Sequence, residues 1–167
     1  ESSSPDGFTA TVIAATGEPP VAASEAQVLQ SQLAEIGVKL EIQMMELNVY
    51  VDTWLAGNFD MAVAQNGGRP DPYPMYNRYF TKDGNLQKVS NFVDDELDSL
   101  LQQGRTETDV AKRKEIFQQF EARLAELSPW IWLSTSNTYT AQLKTISGFE
   151  PSPTGTLFGV TKITIGQ

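Results

Sequence analysis

The chain contains no cysteine and no histidine. Without thiols it has no disulfide, no cysteine nucleophile and no thiolate zinc or iron–sulfur site. Without imidazole it has no Ser–His–Asp triad, no histidine base and none of the usual zinc ligands. Any catalysis would fall to carboxylates, Lys, Tyr or a Ser–Lys pair. The lack of Cys does not decide the compartment, since cytosolic and exported proteins both do without disulfides. Positive charge is scarce as well. Lys and Arg number 12 against 21 Asp and Glu, a net charge of −9 in 167 residues. That balance argues against non-specific binding to nucleic acid or to anionic lipid, which needs a basic patch. No run approaches the roughly 18 apolar residues of a membrane span. No Walker phosphate loop or G-x-G-x-x-G is present, and H-E-x-x-H is impossible. No cofactor or metal is expected.

What remains describes a globular chain. Hydrophobic residues make up 40% and charged residues 20%. The length suits one domain. Residues 1–7, Glu1 to Gly7, read as a polar linker or a cloning boundary, with a single α/β lobe over 8–167.

Phe8–Ala15 is β-branched and apolar and reads as a strand. A helix follows, with Ser24 and Gln27 at capping-box spacing and Ala22, Ala26, Leu29, Leu33 and Ile36 at helical intervals. Gly37 stops it. Val38, Leu40 and Ile42 alternate with polar residues, as in a half-buried strand. A short helix places Leu47, Val51, Trp54 and Leu55 on its inner face. Phe59–Ala64 is a third strand. This alternation gives a mostly parallel open sheet flanked by helices. Such sheets bind ligands at the carboxyl ends of their strands, here after Ala15, Met45 and Ala64.

From Gln65 to Tyr79 the periodicity stops, and Gly and Pro mark a structured loop. Tyr73, Tyr76, Tyr79 and Phe80 crowd behind it, either as a pocket wall or as packing under the loop. Two helices come next. Asp94 caps one, with Leu97, Leu100 and Leu101 inward and Gly104 at its end. The other runs from about Asp109 to Leu127, with Val110, Phe117, Phe120, Leu124 and Leu127 on one face. Trp130–Leu133 reads as a buried strand. Thr138–Leu143 reads as an exposed strand, Phe149–Gly155 as a Pro-broken loop, and Val160–Ile165 as a final strand.

Two acidic features invite chemistry. Asp94, Asp95, Glu96 and Asp98 could attract Ca²⁺, but acids at a helix start already serve as caps and complement the dipole. Glu46 and Asp60 lie near strand ends and could form the carboxylate pair of a hydrolase.

Local phrases also resemble a family. Ala26–Leu40 (AQVLQSQLAEIGVKL), Leu55–Met61 (LAGNFDM), Asp71-Pro72, Asn91–Asp98 (NFVDDELD), the helix from Arg113 to Pro129, and Ile146–Phe149 (ISGF) follow one another through most of the chain. Together they resemble the C-terminal lobe of family 5 extracellular solute-binding proteins, the peptide- and nickel-binding receptors of bacterial ABC importers. The resemblance implies a type II periplasmic-binding-protein lobe of the cluster that holds the large peptide-binding receptors. It implies a fragment of a two-lobed receptor that captures solute by hinge closure and does no catalysis. The implied partners are a small-molecule or oligopeptide-like ligand and an ABC permease. The receptor would be a monomer on the outer face of the cytoplasmic membrane or in the periplasm, a lipoprotein anchored through a segment upstream.

The implied ligand contacts are Asn66, Gly67, Gly68, Arg69, Asp71, Tyr73 and Tyr76, with Leu47 and Trp54 nearby. The family's amine-binding Asp falls in Gly67-Gly68-Arg69, where there is none. Its pocket tryptophans fall at Leu47 and at Gln65 or Asn66. Arg69 would turn the preference toward an anionic or carbohydrate-like ligand. A carboxylate-dependent hydrolase, or a module whose Tyr-rich loop meets a protein partner, are the competing readings.

Overall fold

The computed structural model describes residues 7–17, 19–67, 69–135, 137, 139–152 and 156–166. Strand β1 (Phe8–Ala15) lies between β2 (Val38–Met45) and β3 (Met61–Val63), and both pairings are parallel. Phe8 faces Val38 and Ala15 faces Met45 on one side, while Val12 faces Met61 on the other. The central strand is apolar and buried from Val12 to Ala15, where both of its faces are covered. Ala10, Val12 and Ala14 pack with Ala22 and Ala26 of α1 (Ala22–Ala34). Ile13 and Ala15 pack with Tyr50 of α2 (Leu47–Ala56). On β2, Val38 and Leu40 are buried while Lys39 and Glu41 are exposed, the alternation of an edge strand with one covered face.

Helices α3 (Pro72–Phe80), α4 (Gln87–Ser90), α5 (Asp95–Thr106) and α6 (Val110–Leu127) build a second core beside the sheet. Tyr79, Phe80, Leu97, Leu101, Phe117, Phe120 and Leu124 form its buried centre. Trp54 packs against this core and also against the cluster under α2, so it joins the two. A two-residue hairpin, β4 (Ile146–Ser147) with β5 (Thr164–Ile165), and a 3-10 helix (Leu157–Lys162) complete the described elements. Among the described residues no helix is long and apolar enough to cross a membrane.

Several local expectations are corrected. Helix α1 has Val21 at its N-cap without a side-chain cap bond, so Ser24 and Gln27 make no capping box. On α2, Tyr50 is the buried residue, while Leu47, Val51 and Leu55 face out. The stretch read as loop before Tyr79 contains α3, whose first residue is Pro72. Gly104 lies within α5 and does not end it, and Val110 is exposed. Trp130–Leu133 forms no strand, and Ile131, Trp132 and Leu133 are exposed. Thr138 lies outside the described residues, and 139–143 form no strand. Half of Val160–Ile165, Val160 to Lys162, belongs to the 3-10 helix, and only Thr164–Ile165 forms a strand. Glu1–Asp6, Gly68 and residues 153–155 also lie outside the described residues.

Candidate functional site

Because the three strands of the main sheet run parallel, their carboxyl ends share one edge. Thr16 and Gly17 leave β1 there, Glu46 and Leu47 follow β2, and Ala64 to Arg69 follow β3. Thr16, Gly17, Glu46, Leu47, Asn66, Gly67 and Arg69 are all exposed. The amide of Thr16 donates to the carbonyl of Met45 at 2.7 Å, which continues the β1–β2 ladder to the edge. The hydroxyl of Tyr50 donates to the carbonyl of Val63 at 2.8 Å and fixes the last residue of β3 from below. Burial pushes that hydroxyl up to about 12, with Tyr79 adding to the effect. A rigid sheet thus presents a short, polar, exposed loop, a common arrangement for binding sites.

Of the residues expected to contact ligand, Leu47, Asn66, Gly67 and Arg69 meet at this edge, and Gly68 lies outside the described residues. Arg69 is the one cation in the sequence of the edge segments 16–25, 45–48 and 64–71. The other expected contacts have packing roles. Asp71 caps α3 by accepting from the Tyr73 amide at 2.9 Å. Its two oxygens also accept from Arg113 Nη2 of α6 at 2.8 and 2.9 Å. Burial opposes ionisation of Asp71, but the bonds from Arg113 and Tyr73 outweigh it and hold the carboxyl below its usual value. Tyr73 lies under the Arg105 guanidinium, 5.7 Å from its ring centroid. The Tyr76 ring meets Phe120 at 5.1 Å, and burial, with Glu121 nearby, raises its hydroxyl. Trp54 lies seven residues along α2 from Leu47, about 10 Å down the helix axis.

Both acidic features resolve into structure. Asp94 caps α5 by accepting from the Leu97 amide at 2.9 Å and binds Arg123 Nη2 at 2.9 Å. Arg123 also reaches Glu96 at 3.2 Å and Glu126 at 3.1 Å. Asp60 accepts from the Thr11 amide at 2.8 Å, near the start of β3. Glu46 stands at the opposite edge, beyond the Met45–Ala15 pair. Five residue levels separate the two acids, about 16 Å along the strand direction. A hydrolytic pair needs roughly 5–9.5 Å. The geometry does not support the hydrolase reading.

A cavity of about 580 Å³ lies elsewhere, between α3 and α5, with Asn77, Arg78, Lys82, Asp98, Gln102 and Arg105 in its lining. Lys82 is paired there with Asp95 at 2.9 Å.

One feature at the sheet edge was not legible in the sequence. Ser134 donates to Glu25, in the first turn of α1, at 2.7 Å. This bond draws the segment after α6 across to the carboxyl edge. Nothing in the local sequence marks a contact between residues so distant.

Comparison with known proteins agrees with this architecture. The di/tripeptide-binding protein 4 of Pseudomonas aeruginosa (strain UCBPP-PA14) is 26% identical over 137 residues, which is 80% of this chain and 26% of that protein. Among solved structures, the periplasmic binding protein DppA of Helicobacter pylori, in complex with the peptide STSA, superposes with a TM-score of 0.80. It is 20% identical, and the match takes in 99% of this chain and 32% of DppA. HbpA2 of Haemophilus parasuis gives 0.81 at 20% identity, over 98% of this chain and 33% of the other. The two structural likenesses concern the fold alone, an α/β architecture with a parallel sheet flanked by helices. The chain spans about a quarter of the length of the curated relatives it matches. The model of the bacterial extracellular solute-binding proteins, family 5 Middle, matches residues 2–87, just over half of the chain. The chain belongs to this family of bacterial extracellular solute-binding proteins.

Proposed function

We propose that this chain is one jaw of a receptor that captures a peptide-like solute for an ABC importer, holding it at the carboxyl edge of the β2-β1-β3 sheet. The observation that carries the reading is the shared edge of three parallel strands, with exposed polar backbone at Asn66–Gly67 and a lone cation at Arg69. Relatives named for di- and tripeptides point to the ligand class. Arg69 takes the peptide carboxylate, since a guanidinium matches that group in charge and planar geometry. Leu47 and the Asn66–Gly67 backbone flank it, and Gly68 belongs to the same loop in sequence. Asp71, Tyr73, Tyr76 and Trp54 support the loop from beneath. A second lobe closes over the ligand by hinge motion, and the closed form signals to the permease. The receptor acts as a monomer outside the cytoplasmic membrane, tethered through a lipid-anchored segment upstream of this chain. It binds and releases without catalysis.

An isolated jaw buries only part of its ligand, so its affinity is weak. Titrating the ¹⁵N-labelled chain with millimolar trialanine tests the reading. Amide shifts should centre on Thr16–Gly17, Glu46–Leu47 and Gln65–Arg69. Arg69→Ala should weaken binding of trialanine and leave its C-terminal amide unaffected. Shifts confined to the α3–α5 cavity, or none at all, would overturn the site. Submicromolar binding by calorimetry would overturn the two-jaw picture.

A further inference from the structure

We propose that the open face of Trp132 is a side-chain subsite of this same edge, selecting peptides with an aromatic or large aliphatic residue. The proposal rests on the reading of the edge as a peptide half-site.

All three tryptophans of the chain lie on one line of ring contacts. Trp54 meets Tyr79 at 6.5 Å, Tyr79 meets Trp130 at 4.8 Å, and Trp130 meets Trp132 at 5.3 Å. All three contacts are edge-to-face, with interplanar angles of 67°, 81° and 67°. The line begins in the joint between the two cores and ends in the open. Tyr79 is 4% exposed and Trp132 is 57% exposed. Its outer end is brought to the sheet edge by the Ser134–Glu25 bond. Trp132 precedes Ser134 by two residues, so their backbones are at most about 7 Å apart.

An indole that is backed by another ring on one side and open on the other is a prepared apolar surface. It offers a large contact area at small entropic cost, because its rigid ring turns about only two side-chain angles and already leans on Trp130. Its surroundings also define what it rejects. Residues 128–143 contain no charged side chain, in a chain where 20% are charged. The nearest acid placed by a bond to this segment is Glu25, and no cation of the segment offsets it. An acidic ligand side chain would lose water here and meet a like charge. An apolar one would lose only its hydration shell, which favours the contact.

The three indole N–H groups make the proposal testable by NMR on the intact chain. Each signal is assigned by one Trp→Phe variant, at Trp54, Trp130 and Trp132. The probes are Gly-Gly-Gly, Gly-Phe-Gly and Gly-Glu-Gly. All three should shift the amides of Thr16–Gly17 and Asn66–Gly67. Only Gly-Phe-Gly should also move the Trp132 indole, and it should bind about three- to tenfold tighter than Gly-Gly-Gly. Gly-Glu-Gly should bind no better than Gly-Gly-Gly. Trp132→Ala should abolish the advantage of Phe, and Trp132→Phe should keep most of it. If the edge amides respond while the Trp132 indole stays still and Trp132→Ala leaves the Phe preference intact, the subsite is overturned and the half-site survives. If no peptide shifts the edge amides, both fall together.

Discussion

Arg113 on α6 binds both carboxylate oxygens of Asp71, the residue that caps α3, through one nitrogen, Nη2. The Nε of the same guanidinium donates to the carbonyl of Gly104 on α5 at 2.8 Å. One side chain thus ties three helices together directly behind the loop that carries Arg69. The pair is half-exposed, so its electrostatic contribution is modest. The cap is the larger effect. Asp71→Ala should lose the cap as well as the ion pair, whereas Asp71→Asn keeps a capping oxygen. The Ala variant should be less stable than the Asn variant by about 1 kcal/mol. Urea unfolding of the two variants measures the difference, and equal midpoints would show that the cap contributes nothing.

Acid should weaken this helical half once pH falls below the ordinary aspartate value. Hydrogen bonding from Arg123, against some burial, holds the Asp94 carboxyl below its usual value. Asp71 is lowered too, with burial opposing and Arg113 and Tyr73 prevailing. A lowered native value means that the unfolded chain takes up the proton first as pH falls. The stability from both groups is therefore fully present above about pH 4, the ordinary aspartate value, and is lost as pH drops through the native values. The double variant Asp71→Asn/Asp94→Asn should show a flatter stability profile on the acid side. A profile as steep as the parent's would assign acid sensitivity to other carboxylates.

Much of the sheet was readable because its physics is local. Phe8–Ala15 is rich in β-branched and apolar residues and ends in the apolar run Val12–Ala15, which fits a central strand covered on both faces. The β–α–β order then placed the carboxyl edge without any long-range information. Helix α3 was hidden because Pro72 and Pro74 look like breakers. Pro72 is the first helical residue, where the missing N–H costs nothing, and Asp71 before it is a cap. That Asp-Pro pair was the available signal. The inner face of α2 was ambiguous for a different reason. Leu47, Val51 and Leu55 form one stripe at four-residue spacing, and Tyr50 and Trp54 form another. The second stripe is the inner one, and the Tyr50 hydroxyl finds the Val63 carbonyl there. Trp130–Leu133 has strand-like composition, but among the described residues no strand pairs with it. That the segment after β3 leaves the carboxyl edge of the sheet was legible; the bond that ties Asp71 to α6 was not. The partner of Asp71 lies 42 residues downstream.

Gly104 of α5 lies against the Phe117 ring of α6. A Cβ there would lie 2.7 Å from the Phe117 Cζ, and that ring is buried. Alanine in a helix interior is worth about 1 kcal/mol over glycine. Forcing a methyl group into a packed contact costs about 1–3 kcal/mol. Gly104→Ala should therefore be neutral to destabilising, by up to about 2 kcal/mol. Gly104→Ala/Phe117→Leu should recover the helix-propensity gain relative to Phe117→Leu alone, since the ring is gone. Stabilisation by Gly104→Ala in the parent would show that the Phe117 ring moves aside freely.

Tyr50 links the stability of the sheet to pH at the alkaline end. Its hydroxyl donates to Val63, at the end of β3, from a position that is only 7% exposed. Burial raises it to about 12. In an unfolded chain it ionises near 10. A raised native value means that the native state holds the proton more tightly. The stability it brings is fully present below about pH 10 and is lost as pH climbs through about 12. Tyr50→Phe removes this buried hydrogen bond, at a cost of about 1 kcal/mol near neutral pH. Between about pH 10 and 12 the parent should lose stability faster than the variant, so the two curves converge. Thermal unfolding followed across that range checks the convergence. Parallel curves would mean that Tyr50 ionises alike in both states.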